Sequence, residues 1–130
     1  MDEASRRHAA EWFERGRHSI ETARLVLEHH GHLDAVAYNV QQALELHLKG
    51  WLVLHGEKPP RIHELDVLLN LASRHASDLT AFLDLCERAS RYYIETRYPP
   101  IRFPLDRATV DLDLREAERL MARIERAETR

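Results

Sequence analysis

The chain has 130 residues, 44% hydrophobic and 32% charged, with a formal net charge of -3. That balance excludes a globally basic nucleic-acid binder, because phosphate affinity comes from clustered cations. A single cysteine, Cys86, excludes an internal disulfide framework and a thiolate zinc site.

No apolar run approaches the roughly 20 residues that span a bilayer. The opening Met1-Asp2-Glu3-Ala4-Ser5-Arg6-Arg7 has no apolar core of a signal peptide behind it. One domain over residues 1–130, in a reducing cytoplasm and without membrane contact, is therefore expected.

Scarce glycine and abundant alanine, leucine, glutamate and arginine favour helix over sheet. The first predicted helix runs from about Ser5 to His30. Its stripe is Ala9, Phe13, Gly16, Ile20, Ala23 and Leu27, with steps alternating between four and three. Gly31 is the expected left-handed cap.

The second helix runs from about Leu33 to His55, on Leu33, Ala37, Val40, Leu44, Leu48, Trp51 and Leu54. Gly56 ends it, and Lys58-Pro59-Pro60 makes a stiff connector. A short helix near residues 62–75 carries Leu65, Leu68, Leu69 and Ala72. A fourth, capped by Ser77 or Asp78, carries Leu79, Phe82, Leu83, Cys86, Ala89 and Tyr93. Periodicity stops from about Glu95 to Ala108. A last helix then carries Val110, Leu114, Ala117, Met121 and Ile124, with Asp113 and Glu116 spaced as a capping box. The expected fold is an all-α, up-and-down bundle of four to five helices, the first two long and antiparallel.

Three constellations bear on function. Gln41, Glu45 and Lys49 form one i, i+4 row on the most apolar helix, where a polar edge group tends to be bound to something specific. Arg88, Arg91, Arg97, Arg102 and Arg107 alternate with Tyr92, Tyr93, Tyr98 and Phe103. That mixture suits phosphate and base contacts, or else aromatics that pack a loop while the arginines pair with nearby acids. Leu48, Trp51, Leu52, Val53 and Leu54 surround the second helix with apolar side chains, which points to a two-fold dimer unless later helices wrap it fully. Nine histidines include no Glu-x-x-His and no His-Glu-x-x-His, so no metal is expected.

The segment Tyr38-Asn39-Val40-Gln41-Gln42-Ala43-Leu44-Glu45-Leu46-His47-Leu48-Lys49-Gly50 resembles the central helix of the HEPN family, named for higher eukaryotes and prokaryotes nucleotide-binding. Trp12 with Glu21-Thr22-Ala23 in the first helix is similar to that family too. So are Ile62-His63-Glu64-Leu65, beside its Thr-His-Asp-Leu element, and Thr96-Arg97-Tyr98-Pro99, beside its Arg-Tyr-Pro element. The family often has lysine at the place of Leu46 and alanine at the place of Gly50. Many members are ribonucleases built on Arg-x4-6-His near the later helices. No histidine follows His75 here, and Arg24 to His29 has that spacing only on the first helix.

The resemblance implies a small helical bundle, commonly dimeric. Without the ribonuclease motif it resembles the small partner of minimal nucleotidyltransferases in toxin–antitoxin-like pairs. The expectation is a homodimer that binds a nucleotide or RNA with such a partner, has no activity alone and needs no cofactor. Arg97 is expected on phosphate, Tyr98 as a platform and His63 as a hydrogen-bonding neighbour. Lys49, Glu45 and Arg91 are expected in the same region, and Trp51, Leu52 and Val53 at the dimer interface. Two other readings stand beside it. One is a metal-independent ribonuclease joining His63 of one chain to Arg97 or Arg91 of another. The other is a structural helical subunit without a ligand.

Overall fold

The computed structural model describes residues 1–95 and 105–128. Among these, six α-helices and one 3-10 helix follow in order: α1 (Glu3–Glu28), α2 (Leu33–Leu54), α3 (Leu65–Ala72), the 3-10 helix (Ser77–Phe82), α4 (Leu83–Ser90), α5 (Tyr92–Glu95) and α6 (Arg107–Glu128). The fold is an all-α bundle, as the composition and periodicity imply.

Helix α1 starts at Asp2, whose carboxylate accepts the Ser5 amide at 2.7 Å. Its buried residues are the predicted stripe, Ala9 to Leu27. Its end differs from expectation. The left-handed residue is His30, with φ 56, rather than Gly31. Gly31 serves close approach instead: a Cβ there would stand 2.6 Å from the Val26 side chain, and its amide donates to the Val26 carbonyl at 2.8 Å.

Helix α2 is the centre of the bundle and touches every other α-helix. Its buried set is far wider than one stripe and includes Gln41, Glu45, His47 and Lys49. Trp51 and Leu52, expected at a dimer interface, are 2% and 1% exposed within a single chain. The later helices thus wrap this segment, and the surplus of apolar side chains goes into the chain's own core. Val53, the third residue of that expectation, is half-buried and also packs on the core. Two glycines let α1 lie close to α2. A Cβ at Gly16 would fall on the His47 ring, and one at Gly50 would meet Phe13 and Trp12.

Beyond the Pro59-Pro60 connector, α3 buries Leu65, Leu68, Leu69 and Ala72, as predicted. The expected single fourth helix is divided into the 3-10 turn, α4 and α5. Its Leu79, Cys86 and Ala89 are still buried, while Phe82 and Leu83 are only partly so.

The start of α6 is a clear correction. Asp113 and Glu116 do not cap it. The helix begins at Arg107, just after Asp106, which accepts the Thr109 amide and hydroxyl, both at 2.9 Å. Asp113 lies inside α6, fully buried, and binds Tyr92 and Arg88.

Candidate functional site

The i, i+4 row on α2 is not a surface ladder. Gln41 is 0%, Glu45 7% and Lys49 8% exposed. The Glu45 carboxylate collects three neighbours. Gln41 Nε2 donates to Oε1 at 2.9 Å, Lys49 Nζ donates to Oε2 at 3.0 Å, and His63 Nδ1 lies 3.0 Å from both oxygens. Gln42 Nε2 donates to Gln41 Oε1 at 3.0 Å and extends the chain of bonds by one residue. Burial pushes the Glu45 carboxyl up, but the bonds from Gln41, Lys49 and His63 outweigh it and hold the group below the usual 4.5.

This arrangement fixes His63, which lies on the connector just before α3. A carboxylate beside Nδ1 makes that nitrogen the donor and leaves Nε2 to point away from Glu45. The imidazole is also stacked on Tyr93 of α5, with centroids 4.0 Å apart and planes 12° from parallel. Its side chain is 44% exposed. The result is a carboxylate–imidazole dyad on a half-exposed side chain, with one ring nitrogen not engaged by Glu45 and an aromatic partner. As an imidazolium it can donate to a phosphate from Nε2, and as a neutral ring it can accept a proton there. Lys49 and Glu45 are themselves largely buried, and Glu45 is in contact with the half-exposed His63.

The other expected residues fall elsewhere. Arg91 is exposed at the end of α4, beside a separate cleft of about 210 Å³ between α4 and the start of α6. Its neighbour Arg88 is bound to Asp113 at 2.9 Å and to Glu116 at 2.9 Å. Arg97 and Tyr98 lie outside the described residues. The structure therefore joins Glu45, Lys49 and His63 into one cluster and puts Arg91 in another place. Tyr93 as the partner of His63 was missed in the sequence. Its aromatic character was visible, but the turn of α5 that brings it there was not.

Two further histidine clusters had no sequence signal. His47 is fully buried, with Nε2 3.1 Å from Glu125 of α6, which also binds Arg17 of α1. At the far end of α2, His55 is stacked on His75 at 4.3 Å, and His75 pairs with Glu57. Among the described residues, no three His, Cys, Asp or Glu side chains are grouped so as to hold a metal.

A family model described as HEPN domain matches residues 9–128. The crystal structure of TT1696 from Thermus thermophilus is similar in fold, with a TM-score of 0.79 and 26% sequence identity, over 91% of this chain and 96% of that one. No curated protein matches the chain. No helix among the described residues is long and apolar enough to cross a membrane.

Proposed function

The chain belongs to the HEPN family, a nucleotide- or RNA-related role follows at the level of that family, and from this premise we propose that it binds a nucleotide or RNA end at His63. The observation that carries this reading is the dyad. Glu45 holds Nδ1, Tyr93 supports the ring, and Nε2 is left on the side of a half-exposed ring away from Glu45, a donor to phosphate once the ring is protonated. In this proposal Lys49 and Glu45 position His63, and Arg97 and Tyr98 extend the site with a phosphate contact and a platform.

The resemblance supports a wider setting, in which this chain works as a homodimer with a minimal nucleotidyltransferase in a toxin–antitoxin-like pair. Light scattering tests the dimer, since a mass near 15.2 kDa at low micromolar concentration would remove it. Copurification with such an enzyme tests the partner.

Calorimetry with ATP and a short single-stranded RNA tests the site. Wild type is expected to give saturable heats, with affinity reduced about tenfold in His63→Ala and in Arg97→Ala, as for loss of one charge-assisted hydrogen bond. Equal affinities in all three proteins would remove the assignment. The dyad also favours a second reading, metal-independent RNA cleavage, because an oriented imidazole can serve as general acid or base. Incubation with mixed RNA under chelator decides it: cleavage lost in His63→Ala supports this reading, and intact RNA removes it.

A further inference from the structure

The outer face of α1 and α2 carries two adjoining grooves, of about 310 and about 770 Å³, which share Glu11, Arg15 and Leu46. Trp12 from α1 and Leu46 from α2 give this face an apolar middle. Both are half-buried, and neither is among the described residues that form the core or pack on it. Gln42 lies in the wider groove and donates to Gln41. The face therefore meets the outer end of the hydrogen-bonded row that leads through Glu45 to His63.

The charges beside that middle have an order. Glu11, Glu14, Arg15 and His18 are all exposed and lie on one side of α1 over two turns. Their spacing reads the same from either end, three, one and three residues, with the acids first and the bases second. A two-fold axis that crosses α1 between Glu14 and Arg15 sets the helix antiparallel to its own copy. In that register Glu14 faces the partner's Arg15 and Glu11 faces the partner's His18, and symmetry repeats both contacts in reverse. Parallel pairing in register would put each group opposite its own kind. Within one chain these groups are weakly engaged. Glu14 and His18 are 4.0 Å apart with side chains 64% and 67% exposed, a geometry that contributes little. Glu11 and Arg15 make no ion pair among the described residues.

We propose that this face seats a second copy of this chain, with α1 antiparallel to the partner's α1, Trp12 and Leu46 covered, and the four charged positions paired across the axis. This rests on the homodimer reading above and names the surface that makes it, in place of Trp51 and Leu52, which lie in the core. The apolar middle supplies burial, and the paired charges fix the register.

Light scattering of the full chain at pH 7 tests it with two opposite variants. Glu11→Lys/Glu14→Lys makes the row wholly basic, and Arg15→Glu/His18→Glu makes it wholly acidic. All four positions are exposed, so both variants should fold, with circular dichroism as the check. Wild type is expected as a dimer at low micromolar concentration. Each variant alone should be a monomer near 15.2 kDa, its dimer affinity weakened about a hundredfold or more, because like charges then meet across the axis. An equimolar mixture of the two should dimerise again, since each base of one then faces an acid of the other. Variants that remain dimers alone would overturn this surface and leave the homodimer reading standing. A mixture that stays monomeric would overturn the charge pairing. A monomeric wild type would overturn both this inference and the reading it rests on.

Discussion

Glu45 carries the most weight of any single residue at the site. It is a buried carboxylate whose partners Lys49 and His63 are both basic. Glu45→Gln would leave the buried Lys49 ammonium without its counter-charge, and removing one partner of such a pair costs about 3 kcal/mol. Urea unfolding at pH 7 should show that loss, and Glu45→Gln/Lys49→Met should recover much of it. The sign with pH follows from the lowered carboxyl. Its contribution is fully present above 4.5, the unfolded value, and disappears as pH falls through the lower folded value. Glu45→Gln should therefore flatten that part of the acid limb. A variant as stable as wild type at pH 7 would show that the cluster is not held by this charge.

Gly16 gives a second test at the same scale. Glycine to alanine inside an exposed helix normally stabilises by up to about 1 kcal/mol. Here the added methyl would fall on the buried His47 ring, which is itself fixed by Glu125. Gly16→Ala should destabilise by about 1–3 kcal/mol, as overpacking does, with a lowered thermal midpoint as the readout. A raised midpoint would mean that α1 can move away from α2 at no cost.

Among the elements, those whose apolar residues repeat at helical spacing were legible. The stripes of α1 and α3 coincide with what is buried, because spacing alone decides which side of an amphipathic helix leaves water. The start of α6 departs from the local pattern. Asp113 and Glu116 have capping-box spacing, but capping needs a free amide in the first turn, and that place belongs to Asp106. Their carboxylates are used instead by Arg88 and Tyr92 across the bundle. This long-range pairing leaves no mark in local sequence.

The same holds at the candidate site. Glu45 and Lys49 were visible as neighbours on one helix, whereas His63 and Tyr93 reach them only through the connector and the turn after α4. His55 and His75 are a further long-range pair, joining the end of α2 to the segment after α3. Burial holds the His55 imidazole below its usual 6.5. Its bond to the Trp51 carbonyl opposes this, and the nearby His75 reinforces it. The unfolded chain therefore takes up this proton first. The stabilising contribution of neutral His55 is present above pH 6.5 and is lost as pH falls through the lower folded value. Thermal midpoints measured from about pH 7.5 to about pH 5 should fall more steeply in wild type than in His55→Gln. Equal slopes would show that the pair has no pH-dependent role.

At the scale of the whole molecule, α2 does two things. Its apolar side chains, Trp51 and Leu52 included, hold the bundle around one core. The polar row at its edge reaches out through Glu45 to the connector and fixes one histidine against α5. Everything proposed for function rests on that histidine being the ligand contact. The most direct measurement is a histidine side-chain ¹⁵N NMR titration of the full chain with AMP. His63 Nε2 should shift saturably, while its Nδ1 keeps the signature of a nitrogen bonded to a carboxylate and the buried His47 stays unmoved. AMP binding that leaves His63 unshifted, or shifts another histidine in its place, would contradict it.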